Sequence, residues 1–125
     1  SHVYAIGDVA RFMNRRHPDP IRLEHWTSAT DQALIVAHNI AHPDDLRSYD
    51  PTEYVWSDQY DVKIQSVGRF DADCTMEIAH GSIDDRKFVA LFGEGDRLVA
   101  SVSGTAPAVL AETVGVLALN ALPIT

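Results

Sequence analysis

KFVALFGEGDRLVASVSG, residues 87–104, holds two apolar runs rich in β-branched and aromatic side chains, parted by Gly93-Glu94-Gly95-Asp96. Two such runs around a short glycine-containing break predict a β-hairpin. Upstream, YDVKIQSVGRF alternates, with Val62, Ile64 and Ser66 on one face and Lys63, Gln65 and Val67 on the other, the period of a strand. CTMEIAHG gives a further short strand, and Asp84-Asp85-Arg86-Lys87 a solvated turn before the hairpin. Downstream, PAVLAETVGVLALNAL opens with Pro107, a favoured first helical residue, and is apolar on most faces, so it predicts a helix lying across the sheet. Residues 50–125 therefore read as an α+β domain, an antiparallel sheet covered by a C-terminal helix.

The amino-terminal part has another character. VYAIGDVA is a short apolar run closed by Gly7-Asp8, the pattern of a buried strand ending in a turn. Such a strand needs neighbours, and almost nothing precedes it, so a larger parent protein is expected. FMNRRHPDPIRLEHW is loop-like, since Pro18 and Pro20 disfavour helix at the residues before them. The next stretch, SATDQALIVAHNIAH, predicts a helix ended by Pro43. Its N-cap is Thr27 or Ser28, with Asp31 three residues after Ser28, and its apolar stripe is Ala33, Val36, Ala37 and Ile40. The polar, proline-bearing segment that follows marks a boundary between units of 1–45 and 50–125.

Composition narrows the function. The 125 residues carry a net charge of −8, which disfavours nucleic acid and anionic membrane surfaces as partners. No apolar run approaches the ~18–20 residues that span a bilayer, and the first residues lack the signal-peptide pattern. Cys74 is the single cysteine, which rules out an intrachain disulfide framework or CxxC pair and points to a cytoplasmic chain. Charge is uneven: four arginines face three carboxylates in the first thirty residues, and six basic face fifteen acidic residues in the rest. His38 and His42 have the i, i+4 spacing of helix-borne metal ligands, but no acidic or cysteine partner is placed to complete a site, so no metal is expected. Ser57, Asp58 and Gln59 read as a polar loop rather than part of a hydrolytic triad.

AIGDVA, then RLEHWTSATDQALIVAHNI, then YVWSDQYDVKIQSVG and DDRKFVALFGEGDRLVASVSG, resemble in order and spacing the C-terminal third of the FAD-dependent ferredoxin reductases. Those enzymes feed rubredoxin, putidaredoxin and the ferredoxins of ring-hydroxylating dioxygenases. The resemblance implies that residues 1–45 are the last strand and helix of a Rossmann-like FAD-binding domain, and that 50–125 are the reductase C-terminal domain used in dimerisation or docking. It further implies cofactor contacts from Gly7, Asp8, Trp26, Thr27 and Ala29. Asp8 would bond the ribityl chain, Trp26 would lie against the isoalloxazine, and the helix N-terminus would face the pyrimidine edge. Trp56 would stand near the flavin at the electron exit. The parent activity would carry electrons from NAD(P)H through FAD to a ferredoxin-type iron–sulfur protein, docked through the segment holding Arg11, Arg15, Arg16 and Arg22, with a homodimer compatible. The family's GxGxxG units are absent, so this chain alone is expected to be inactive. The alternatives are a non-catalytic dimerisation or docking module and a kindred flavoprotein of the monodehydroascorbate or nitrite-linked type.

Overall fold

The computed structural model describes residues 3–105 and divides the chain into two compact units, Ser1–Pro51 and Thr52–Thr125.

The second unit is a five-stranded antiparallel sheet: β1 (Tyr54–Gln59), β2 (Val62–Gly68), β3 (Thr75–Ser82), β4 (Lys87–Glu94) and β5 (Arg97–Gly104). Their order across the sheet is β1-β2-β5-β4-β3. The expected hairpin is β4–β5, where Glu94 faces Arg97 and Gly95 takes a φ of +59° in the two-residue turn. After β2 the chain crosses to the far edge to begin β3, which leaves β5 central with a partner on each side. Two glycines make the close approaches possible. A Cβ on Gly68 (φ +77°) would sit 2.2 Å from the Val99 carbonyl oxygen, and one on Gly81 (φ +68°) 1.9 Å from that of Lys87.

In β2 burial is deepest at Val67, near the strand's end, rather than along one whole face. Val67 is fully buried against Tyr54 and Leu98, and Gln65 is half-buried, while Ile64 remains exposed. Ser57–Gln59, expected as a loop, lies in β1, because each residue pairs across the ladder with Ile64, Lys63 or Val62. The covering helix expected after Pro107 lies outside the described residues.

In the first unit, the helix α1 spans Trp26–Ala41. It begins before both expected caps: His25 occupies the N-cap position with no side-chain cap bond, and Ser28 is buried inside the first turn. The row turned inward is Ser28, Gln32, Ile35 and Asn39. Of the expected apolar stripe only Val36 is half-buried, and Leu34 on the outer side is 70% exposed. Polar side chains own the inner face because they bond the segments lying on it. Asn39 exchanges two hydrogen bonds with the Arg47 backbone, at 3.0 and 2.8 Å. The strand expected in VYAIGDVA is extended at Ile6 (φ −137°, ψ 163°) but joins no ladder among the described residues and is exposed, since no neighbouring strand lies beside it. It runs into a 3-10 turn, Gly7–Val9. The following loop is pinched by an antiparallel bridge, Phe12 to Ile21, with both N–H···O distances 2.9 Å.

Gly68→Ala should lower stability by at least about 2 kcal/mol, since left-handed strain adds to a backbone clash. Gly95→Ala, with nothing within 4 Å of its added Cβ, should cost only the conformational strain of about 1 kcal/mol. Urea denaturation of the two variants, followed by circular dichroism, checks the ranking.

Candidate functional site

The residues singled out near the amino terminus meet at one place. The Gly7–Val9 turn packs on α1, and a Cβ on Gly7 would lie 3.7 Å from that of Ala29, an ordinary contact. What demands glycine here is therefore its φ of +73° rather than space. The Gly7 N–H donates to Oε1 of Gln32 at 2.9 Å, and the Ala10 N–H closes the turn onto the Gly7 carbonyl at 2.9 Å. Asp8 is exposed on this turn, and its carboxylate is engaged by no hydrogen bond among the described residues.

Trp26, Thr27 and Ala29 form the first turn of α1. The N-cap His25 makes no side-chain cap bond and the first turn holds no acidic residue, while the Ala29 N–H already bonds the His25 carbonyl at 3.2 Å; the dipole at this end favours negative charge. Trp26 is 77% exposed at the head of the helix. Thr30 turns its hydroxyl back to the Thr27 carbonyl at 3.0 Å, so it does not compete for that end. The arrangement combines an acceptor on a turn, donors at a helix start and an exposed indole. Chemically it suits a ligand with hydroxyl donors and an electron-rich, hydrogen-bond-accepting ring edge.

A further component was not legible in the motif. Gln32 is 4% exposed and donates from Nε2 to Oγ of Ser28 at 2.8 Å, and the Tyr49 hydroxyl bonds the same Ser28 oxygen at 3.2 Å. The available signal was a glutamine four residues after a serine, a spacing that places the two on one helix face.

Trp56 lies in the other unit, on β1 opposite Gln65. It is 40% exposed and stacks on Tyr54 with ring centroids 5.8 Å apart, and the Tyr54 hydroxyl accepts a 2.7 Å bond from Gln65. His38 and His42 stack with centroids 4.7 Å apart, and His38 does find an acidic partner the sequence had not offered, Asp45, at 3.1 Å. No cluster of three metal-binding side chains forms among the described residues, and no described helix is long and apolar enough to cross a membrane. Cys74 is half-buried beside Asp71.

Of the four arginines, Arg15 is paired with Asp50, which also accepts its backbone N–H at 3.0 Å. Arg16 reaches the Pro51 carbonyl at 2.7 Å and Arg11 the Pro20 carbonyl at 3.0 Å, both neutral acceptors. Arg22 stands 3.8 Å from Glu24. Burial alone would raise the Asp50 pKa, but the backbone bond, side-chain bond and charge of Arg15, with the charge of Arg16 behind them, leave it lowered from 3.8.

A family model described as reductase C-terminal matches residues 54–120. The chain is 36% identical over 101 residues to a ferredoxin–NAD(P)(+) reductase of a Sphingomonas species, covering 79% of this chain and 24% of that one. Its fold is similar to the crystal structure of Fdr9 (TM-score 0.81, 33% identity, 94% of this chain and 30% of that). It is likewise similar to the ferredoxin reductase for the CYP199A2 system from Rhodopseudomonas palustris (TM-score 0.79, 34% identity, 88% and 26%). The chain thus spans about a quarter of the length of the curated relatives it matches.

A carboxylate whose folded pKa is depressed stabilises the fold above its unfolded pKa, and that contribution is lost as pH falls through the folded value. Asp50→Asn should therefore melt at a lower temperature than the parent chain at pH 7. The gap should close on acidification below the ordinary carboxylate range, which paired thermal melts across pH will show.

Proposed function

The chain belongs to the reductase C-terminal family, and on that footing we propose that it is the carboxy-terminal part of an FAD-dependent NAD(P)H:ferredoxin-type oxidoreductase. In this reading residues 1–45 close the FAD-binding domain and 50–125 form the domain that meets partners. The observation that carries it is the Gly7–Asp8 turn seated on the uncapped first turn of α1. The donor set fits the cofactor: a ribityl chain presents hydroxyls to a carboxylate, and the pyrimidine edge of a flavin presents acceptors and negative charge to helix N–H groups. Leu34 and Ile40, exposed on the outer side of α1, fit a helix whose second face packs into a larger domain.

FAD when bound supplies the chemistry of accepting a hydride and releasing electrons singly. The residues of this chain do the rest. Asp8 accepts a hydrogen bond from the ribityl chain and fixes its direction. The N–H groups and dipole at the start of α1, with Gly7 and Ala29 keeping the approach narrow, favour electron density at the pyrimidine edge. Trp26 covers the ring and excludes water from it. Trp56, half out of β1 on its Tyr54 support, faces the electron acceptor. Arg11 and Arg22 lie on the basic segment and attract an acidic iron–sulfur protein, while Arg15 is held by Asp50.

A second reading has one observation of its own: the sheet in Thr52–Thr125 has internal pairing and a buried centre without help from the flavin motif, as a docking or dimerisation module would.

The complete protein carrying this chain should purify with the visible absorbance bands of a bound flavin, perturbed from those of free FAD. A protein that neither retains FAD nor shows Trp26 fluorescence quenching on its addition would leave the module reading. In the flavin-loaded protein, Arg11→Glu with Arg22→Glu should raise KM for an acidic ferredoxin about tenfold at low salt, while reduction of a small uncharged dye stays unchanged.

A further inference from the structure

We infer that Gln32 is a positioning residue for the cofactor, a buried amide that locks the Asp8 turn to the helix start; this rests on the flavin reading above. Both ends of its amide are committed. Oε1 accepts the Gly7 N–H at 2.9 Å and Nε2 donates to Ser28 Oγ at 2.8 Å, within a residue that is 4% exposed. Ser28 is fixed from its other side by the Tyr49 hydroxyl at 3.2 Å, so the chain of bonds runs from the segment after α1, through its first turn, to the turn that bears Asp8. Gly7 sits at φ +73° with its amide aimed into the protein, and Asp8 is the next residue. Removing the amide frees the Gly7 N–H from its acceptor and lets the Ile6–Gly7 peptide that carries it rotate, so the turn, still closed on itself by the Ala10 N–H on the Gly7 carbonyl, shifts with its carboxylate relative to the helix start. A buried glutamine is costly unless both amide groups are used. Here they are used on the Gly7 backbone N–H and the Ser28 hydroxyl, one on the turn and one at the helix start that the proposed cofactor contacts must hold in register. Gln32 itself touches no cofactor in this account and acts through Asp8.

The test is the FAD dissociation constant of the complete reductase, read by flavin fluorescence for Asp8→Ala, Gln32→Met and the double variant, with circular dichroism of each apoprotein. Asp8→Ala and Gln32→Met should each weaken FAD about tenfold, as loss of a hydrogen bond to a charged group does. The double variant should be no more than about threefold worse than Asp8→Ala alone, because the amide works through that carboxylate. Gln32→Glu keeps an acceptor for Gly7, and the Ser28 hydroxyl can turn to donate to it, so its affinity should stay within about threefold of the parent. If Gln32→Met does not fold, Ser28→Ala serves in its place and should weaken FAD in the same less-than-multiplicative way. Unchanged affinity in Gln32→Met or its substitute beside a weakened Asp8→Ala would overturn the positioning role and leave the flavin reading standing, as would effects that multiply fully. An Asp8→Ala variant that binds FAD normally would overturn the flavin reading itself.

Discussion

Backbone N–H and C=O groups that leave water must find partners inside the protein, and both units are organised by that demand. Strand β5 is the sharpest case. Ala100, Ser101 and Ser103 are all fully buried on it, so its two edges must be hydrogen-bonded, and β2 and β4 supply those edges. β4 is joined to β5 by a two-residue turn, and the other edge is filled by β2, from earlier in the chain. The crossing from Gly68 to the far side, where β3 begins, follows from that arrangement.

The first unit meets the same demand with side chains. The segment before the Gly7 turn joins no ladder among the described residues, and the Gly7 amide is satisfied by Gln32. The loop between Phe12 and Ile21 is closed by one bridge and then by Asn14, which is buried and bonds the Pro51 carbonyl at 2.8 Å. The chain after α1 returns along the helix on the Asn39 clamp. Side-chain amides do here what strands do in the sheet, and their geometry is set residue by residue rather than by a repeating ladder.

That difference explains what could be read in advance. Four of the five strands were legible because alternation and glycine turns are local signals, as in YDVKIQSVG and FGEGD. The strand missed, β1, has Ser57, Asp58 and Gln59 in sequence. Polar residues on an edge strand carry no apolar alternation, and only pairing with Ile64, Lys63 and Val62 makes them a strand. Likewise, Gly7, Asp8, Trp26, Thr27 and Ala29 were recognisable as a motif, whereas Gln32 and Tyr49 enter only when three distant segments are folded together.

The helix α1 shows why the motif and the packing pattern point to different faces. Its apolar residues made an amphipathic reading natural, yet the inward row is Ser28, Gln32, Ile35 and Asn39, and Leu34 and Ile40 look outward. An isolated helix would not choose this orientation, because it trades apolar burial for hydrogen bonds that contribute only about 1 kcal/mol each after desolvation. The orientation is reasonable for a helix with obligations on two sides: one fixes its first turn against the Gly7–Asp8 turn, and the other keeps an apolar surface for further packing. Under the proposed reading, the polar face is the one that holds the cofactor contacts in register. The fold there gives up apolar burial within this chain for the precise placement of a turn and a helix start.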